Sequence, residues 1–188
     1  MIEAELKAHV RDPAALKTHL DRRAAGETSV YRDTYYDRPG HELTSEGREL
    51  RVRVVDTSGV RRAVLTYKEP AADEASRSKP EHETKMADAG VIDLILRALG
   101  LDHLVSFEKH CVNYRFSAWG RDMLATVVTV PEIDGTFVEL ETMAGEPDMD
   151  AALRDVRAVL AEMGIGEEDL TTEQYTDAVM RTRRIQNR

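Results

Sequence analysis

The sequence Glu3-Ala4-Glu5-Leu6-Lys7 places charged and apolar side chains at alternate positions. In an extended strand successive side chains point to opposite faces, so Glu3, Glu5 and Lys7 share one face and Ala4 and Leu6 share the other. A half-exposed antiparallel strand has the same pattern, so this segment alone identifies no function. The pattern becomes informative because it recurs along the chain.

Five further segments repeat the alternation, at 50–54, 65–68, 79–83, 109–111 and 138–141. One interpretation is a set of solvated strand faces in an ordinary β-sandwich. The other is an inverted barrel, with charged side chains inside and apolar faces outside, because exposed faces rarely carry glutamate so strictly at alternate positions. The interior would then contain Glu3, Glu5, Glu81, Glu83, Glu139 and Glu141 beside Lys7, Arg51, Arg53, Lys68 and Lys109.

The pattern of strands and turns predicts an α+β fold. Eight strands are expected at 1–9, 29–38, 48–56, 60–69, 79–86, 105–118, 122–131 and 134–143. Tight turns at 56–59, 119–122 and 133–135 make neighbouring strands antiparallel. We therefore predict one domain over 1–188, a closed eight-stranded antiparallel β-barrel, or tunnel, with a charged lumen and amphipathic helices around it.

Four helices are predicted from their end signals. The first begins at Asp12-Pro13 and runs to about residue 25, and the second lies between Asp88 and Gly100. The third extends from about residue 148 to 164, and the last begins with a Thr171 to Gln174 capping box. Residues 70–80 are predicted to form a mobile loop. The helices would cover the apolar outer faces, and a second subunit could help, which leaves a homodimer open.

Composition narrows the class of partner. A net charge of -9 over 188 residues argues against binding to duplex nucleic acid, which depends on lysine and arginine. The N-terminal residues are acidic and contain no long apolar run, so we expect no membrane anchor or secretory signal and a cytoplasmic location. The single cysteine, Cys111, forms neither an intramolecular disulfide nor a thiolate metal site.

Acidic and basic side chains in one lumen point to a specific class of ligand. Two like charges about 4 Å apart repel by roughly 4 kcal/mol at an effective dielectric constant near 20, so clustered carboxylates require cations. Carboxylate oxygens favour Mg²⁺ or Mn²⁺, which commonly bridge to phosphates, and arginine and lysine bind phosphate oxygens. The sequence therefore predicts a small phosphorylated substrate bound together with a divalent metal.

The ordered motifs resemble those of the CYTH, or triphosphate tunnel metalloenzyme, superfamily, and within it the class IV adenylate cyclase-like proteins. The similarity extends over nearly the whole chain. Its motifs are Glu3-x-Glu5-x-Lys7, Asp33-Thr34-Tyr35-Tyr36-Asp37, Leu50-Arg51-x-Arg53, Thr66-x-Lys68, Lys79-x-Glu81-x-Glu83, Gly135-x-Phe137-Val138-Glu139-x-Glu141 and a C-terminal Tyr175.

The resemblance implies two-metal chemistry on triphosphates in an eight-stranded tunnel. Members hydrolyse a terminal phosphoanhydride or cyclise ATP with release of pyrophosphate. By resemblance, the Mg²⁺ or Mn²⁺ ligands are Glu3, Glu5, Glu139 and Glu141. The catalytic and phosphate-binding residues are Lys7, Arg51, Arg53, Lys68 and Lys109, and Glu81, Glu83 and Tyr35 complete the substrate site.

Two positions depart from the family pattern. Cys111 stands where the family usually has an arginine, and the expected aspartate of the penultimate strand falls at Val128 or Thr129. Arg115 lies on the same strand face as Cys111 and could compensate. Three functions remain open: triphosphate hydrolysis or cyclisation, release of pyrophosphate from a non-nucleotide organic diphosphate, and non-catalytic binding of polyphosphate or nucleotide.

Overall fold

A computed structural model describes residues 2–71 and 79–186, which contain eight strands and five α-helices. The predicted loop at 70–80 lies largely outside these residues. The strands are β1 (Ile2–His9), β2 (Glu27–Asp37), β3 (Glu49–Thr57), β4 (Val60–Lys68), β5 (Glu81–Met86), β6 (Asp102–Ala118), β7 (Arg121–Thr129) and β8 (Phe137–Ala144). The helices are α1 (Pro13–Asp21), α2 (Glu42–Ser45), α3 (Ala89–Ala98), α4 (Met149–Glu162) and α5 (Tyr175–Gln186).

All eight strands belong to one antiparallel sheet in the order β1-β8-β7-β6-β2-β3-β4-β5. The sheet curls into a half-barrel, and the predicted full closure is not seen. Within the described residues its edge strands meet through one bridge, between Ile2 and Pro80. Because proline has no amide hydrogen, Pro80 cannot donate a ladder hydrogen bond to β1.

Two tight hairpins set the register of the sheet. Ser58 and Gly59 join β3 to β4 with φ angles of 52° and 83°, and Trp119 and Gly120 join β6 to β7 with φ angles of 53° and 74°. Positive φ at both central residues is typical of the type I′ turn, whose twist matches that of the flanking strands. Both hairpins were predicted from the sequence, and both are confirmed.

The apolar and charged residues that alternate along β1 lie on opposite faces of the sheet. On the outer face of β1, Ala4, Leu6 and Ala8 are buried in the main core, together with residues of α1 and α4 such as Leu16 and Val156. The charged residues of β1 face the concave side of the curled sheet, which we call the lumen. The sheet therefore has an apolar outer face covered by helices and a charged inner face, as predicted.

The helix ends differ in part from the predictions. The side chain of Asp12 caps α1 through the amides of Ala14 and Ala15, as expected, but the helix ends at Asp21 rather than near residue 25. The predicted capping box at Thr171 is wrong, because α5 begins at Tyr175. The amide of Thr171 instead donates to the carbonyl of Lys7, which attaches this segment to β1. No helix in the described ranges is both long and apolar enough to cross a membrane.

Candidate functional site

The lumen encloses a cavity of about 450 Å³. Every site residue predicted from the sequence lines it, although these residues come from seven different strands. They are Glu3, Glu5, Lys7, Tyr35, Arg51, Arg53, Lys68, Glu81, Glu83, Lys109, Glu139 and Glu141. The alternation of charged and apolar residues along the strands therefore predicted correctly which side chains face the lumen.

Three carboxylates converge at one point of the lumen. Glu3, Glu5 and Glu141 each offer an oxygen, and these oxygens lie within 4.8 Å of one another. Burial, together with the nearby carboxylates, raises the pKa of Glu3 to about 7. Burial and the same repulsion also raise the pKa of Glu5 and hold that of Glu141 well above its usual value. We call Glu3, Glu5 and Glu141 the carboxylate triad.

Glu139, the fourth predicted metal ligand, lies in a different electrostatic environment. Its Oε1 is 3.4 Å from Nζ of Lys109. Burial disfavours its charged form, but the positive charges of Lys109 and Lys7 outweigh burial and hold the pKa of Glu139 below its usual value. Glu139 is therefore a carboxylate held ionised by lysines, next to the triad and outside the group of converging oxygens.

Lys68 connects the two edges of the curled sheet. Its Nζ lies 3.2 Å from Oε2 of Glu3 on β1 and 2.6 Å from Oε2 of Glu81 on β5. Burial disfavours the charged ammonium, but Glu3 and Glu5 outweigh that effect and raise the pKa of Lys68. This cation therefore partly neutralises the triad and spans the gap between β1 and β5.

Arg53 and Arg51 occupy neighbouring inward positions on β3 but have different partners. Arg53 forms a two-pronged ion pair with Asp33, with Nε to Oδ1 at 2.6 Å and Nη2 to Oδ2 at 2.7 Å. Arg51 is only 9% exposed and donates from Nη2 to Oγ1 of Thr66 at 3.2 Å. Among residues 2–71 and 79–186 its Nε has no hydrogen-bond partner, and no carboxylate forms an ion pair with it. Arg51 therefore lines the lumen with a buried guanidinium that has no carboxylate partner in these ranges.

One end of the lumen is sealed by the C-terminal segment. Tyr175, the first residue of α5, is 8% exposed, and the Nζ atoms of Lys7 and Lys109 lie 4.3 Å and 4.6 Å from its ring centroid. Lys7 also donates to the carbonyl of Glu173. Burial lowers the pKa of Lys7, and the neighbouring carboxylates oppose this change. Tyr175 thus holds two lysines at the closed end.

The remaining predicted residues have mixed surroundings. Tyr35 is buried and stacks on Phe107 with ring centroids 5.8 Å apart. Glu83 is exposed at the rim of the cavity and accepts a hydrogen bond of 3.4 Å from Thr66. Sequence reasoning missed Glu49, which lines the cavity and pairs with Lys79 at 2.5 Å. The alternation of Glu49 with Arg51 was the signal that could have identified it.

The two departures from the family pattern lie in an apolar layer. Cys111 and Val128 are cross-strand partners, and both are fully buried in a cluster with Phe137, Tyr175 and Val179. Burial raises the pKa of the Cys111 thiol to about 12. Thr129 is exposed on the opposite face of β7. At these positions β6 and β7 therefore carry no charged side chain. Arg115, farther along β6, does line the cavity.

The carboxylate triad has the chemistry of a divalent metal site. Its oxygens are hard ligands, and their mutual repulsion decreases when a cation binds between them. Metals of this kind keep several waters and use few protein carboxylates when phosphates complete their coordination. Glu3, Glu5 and Glu141 therefore fit Mg²⁺ or Mn²⁺.

Comparisons with known proteins agree with this geometry. The CYTH domain profile matches residues 1–175. Adenylate cyclase CyaB of Aeromonas hydrophila is 28% identical over 155 residues, covering 79% of this chain and 72% of that protein. A Pyrococcus horikoshii structure has a TM-score of 0.82 at 21% identity and covers 95% of this chain and 98% of its own. A Hippeastrum protein described as having a dominant triphosphatase activity has a TM-score of 0.67 at 18% identity, covering 96% of each chain.

Proposed function

Because the chain belongs to the CYTH domain family, we propose that it cleaves a phosphoanhydride bond of a triphosphate bound with Mg²⁺ or Mn²⁺ in the lumen. The observation that carries the proposal is the carboxylate triad together with Arg51, a buried guanidinium that has no carboxylate partner in the described ranges. The triad supplies ligands for a cation, and Arg51 supplies a donor for an anion. A metal-bound polyphosphate satisfies both.

Each group has a distinct role in this proposal. Glu3, Glu5 and Glu141 hold the metal, which supplies charge neutralisation and activates or orients the nucleophile. Arg51 donates hydrogen bonds to phosphate oxygens, and Lys7 and Lys109 neutralise phosphate charge at the closed end. Arg53 is held in place by its ion pair with Asp33 and adds positive charge to the lumen. Catalysis is then mainly positioning and electrostatic stabilisation.

Closure of the tunnel is part of the same proposal. The two edge strands already share Lys68, which contacts Glu3 on one edge and Glu81 on the other. A polyphosphate and its metal would replace repulsion between the carboxylates with attraction across the gap. We therefore expect the edges of β1 and β5 to be held more firmly when the ligand is bound.

The relatives indicate two reactions that differ in the nucleophile. One relative is named an adenylate cyclase, and one structural neighbour is described as having triphosphatase activity. Attack by water on the terminal phosphorus releases orthophosphate. Attack by the ribose 3′-hydroxyl on the α-phosphorus releases pyrophosphate and forms cyclic AMP. Both reactions use the same metal and the same phosphate-binding groups.

Phosphorus NMR of the purified protein with ATP or tripolyphosphate, with Mg²⁺, Mn²⁺ or EDTA, tests the proposal. Orthophosphate identifies a hydrolase, and pyrophosphate with cyclic AMP identifies a cyclase. Glu141→Gln is expected to abolish metal-dependent turnover, whereas the matched control Glu108→Gln, which alters a half-exposed carboxylate paired with Arg32, is expected to retain it. No turnover with either substrate and metal would reject the catalytic proposal in favour of a binding module.

A further inference from the structure

A buried ion pair lies at the sealed end of the lumen. Nζ of Lys79 is 2.5 Å from Oε1 of Glu49 and donates to the carbonyl of Gly47 at 2.9 Å. Both side chains of the pair line the lumen, and Lys79 is only 6% exposed. Oε1 of Glu49 also accepts a hydrogen bond of 3.0 Å from Gln174, the residue before Tyr175. The pair therefore stands beside the segment that seals this end.

Strand register places the pair next to a proposed phosphate-binding group. Glu49 and Arg51 are alternate residues of β3, so both side chains line the lumen, about 7 Å apart along the strand. Glu49 also faces Lys68 of β4, and Lys68 faces Glu81 of β5. A carboxylate therefore occupies the inward position that follows Arg51 toward the sealed end.

The charges of the two side chains cancel locally. Burial disfavours the charged form of Glu49, but Lys79 outweighs burial and holds the pKa of Glu49 below its usual value. The ammonium of Lys79 directs two of its three donors to Glu49 and Gly47. A phosphate bound at Arg51 would therefore meet the negative charge of Glu49, while the positive charge of Lys79 is already neutralised.

We propose that Glu49 competes with phosphate for Lys79 and thereby limits how tightly the sealed end of the lumen holds a polyphosphate. This inference rests on the proposed binding of polyphosphate in the lumen. A buried ammonium without a partner is unfavourable, so Lys79 deprived of its carboxylate would bind a phosphate oxygen instead. The flexible stem of a lysine lets its ammonium reach a new partner in the same cavity. Glu49 thus acts on the ligand through Lys79 and is a positioning residue.

Calorimetry with tripolyphosphate and Mg²⁺ tests this competition. Glu49→Gln keeps a side-chain oxygen that accepts from Gln174 but removes the charge that holds Lys79, so we expect tripolyphosphate affinity to rise about tenfold. Lys79→Met leaves the charge of Glu49 uncompensated, so affinity should fall by about the same factor. The double variant lacks both charges, and its affinity should return close to that of the wild-type protein. A pair with only a structural role predicts a loss of affinity in every variant.

Glu132→Gln is the matched control, because it alters a carboxylate that pairs with Arg183 outside the lumen, and it should leave the affinity unchanged. Unfolding midpoints give a second readout. Without ligand, Glu49→Gln should unfold at a lower temperature than the wild-type protein, and tripolyphosphate should raise its midpoint by more. A lower or unchanged affinity in Glu49→Gln would overturn the competition. If neither the wild-type protein nor any variant bound tripolyphosphate with Mg²⁺, the proposed function of the lumen would be rejected, and this inference with it.

Discussion

Glu5 on β1 and Glu141 on β8 stand directly opposite each other in an antiparallel ladder, and Glu3 completes a triad of carboxylates with them. Like charges at directly opposed strand positions destabilise a sheet. The fold tolerates them because helices pack on the outer faces of both strands and because Lys68 supplies compensating charge. The arrangement therefore sacrifices some stability of the free protein to form a cation site.

Removing one member of the triad should stabilise the metal-free protein. For Glu141→Gln in EDTA we expect a gain of about 1 kcal/mol, or about 2 to 4 °C in the unfolding midpoint, because the amide replaces a carboxyl whose ionisation is disfavoured by burial and by the neighbouring carboxylates. The same variant should lose the rise in midpoint that Mg²⁺ produces in the wild-type protein. Differential scanning fluorimetry with and without Mg²⁺ measures both effects. A variant that kept its Mg²⁺-dependent rise would remove Glu141 from the metal site.

Substitution by lysine should have different effects at Arg51 and at Arg53. Arg51→Lys removes a guanidinium that lines the lumen and has no carboxylate partner among the described residues, so tripolyphosphate affinity should fall about tenfold for a loss near 1.4 kcal/mol, with little change in stability. Arg53→Lys breaks the two-pronged pair with Asp33 and should mainly lower stability. Calorimetry and urea unfolding separate the two effects. Equal loss of stability in both variants would contradict this division.

The Asp33 to Arg53 pair predicts a pH dependence of stability. Burial disfavours ionised Asp33, but Arg53 outweighs burial and holds the pKa of Asp33 below its usual value of 3.8. A lowered folded-state pKa means that the stabilisation is complete above 3.8 and is lost as the pH falls below it. Asp33→Asn should therefore cost about 3 kcal/mol at neutral pH, because it leaves Arg53 buried and unpaired.

Urea unfolding of the wild-type protein and Asp33→Asn, repeated at successively lower pH, measures this dependence. The difference in unfolding free energy should be constant at neutral and weakly acidic pH and should shrink below 3.8. Glu108→Gln, which removes a half-exposed partner of Arg32, should show little difference at any pH. A constant difference between the wild-type protein and Asp33→Asn down to the lowest pH would show that the pair is not the source of the effect.

Cys111 should be unreactive in the folded protein. Its side chain is buried beside Val128 and Phe137, and burial raises the pKa of its thiol to about 12, so the thiolate is scarce at neutral pH. A thiol-specific reagent should modify the protein slowly in buffer and rapidly in denaturing urea. Rapid labelling without denaturant would show that the apolar layer at the sealed end opens readily.

Much of the site could be predicted because successive side chains of a β-strand point to opposite faces of the sheet. Alternation assigned Glu3, Arg51 and Lys109 to the inner face, and the structure places all three on the lumen. Turn residues likewise predicted two tight hairpins, and the structure shows positive φ at both central residues of each. The capping box at Thr171 failed for a physical reason: the segment lies beside β1, and its tertiary hydrogen bonds with Lys7 outweigh a local helix signal.

The amino-acid sequence by itself determined which side chains share a face, because the direction of a strand side chain depends only on its position in the repeat. Only the tertiary structure decided how those side chains group. Sheet curvature brings Lys68 between Glu3 and Glu81, separates Glu139 from the triad and leaves Arg51 without a carboxylate partner in the described ranges. Such contacts join strands far apart in the sequence, and they depend on twist and helix packing that no local pattern specifies.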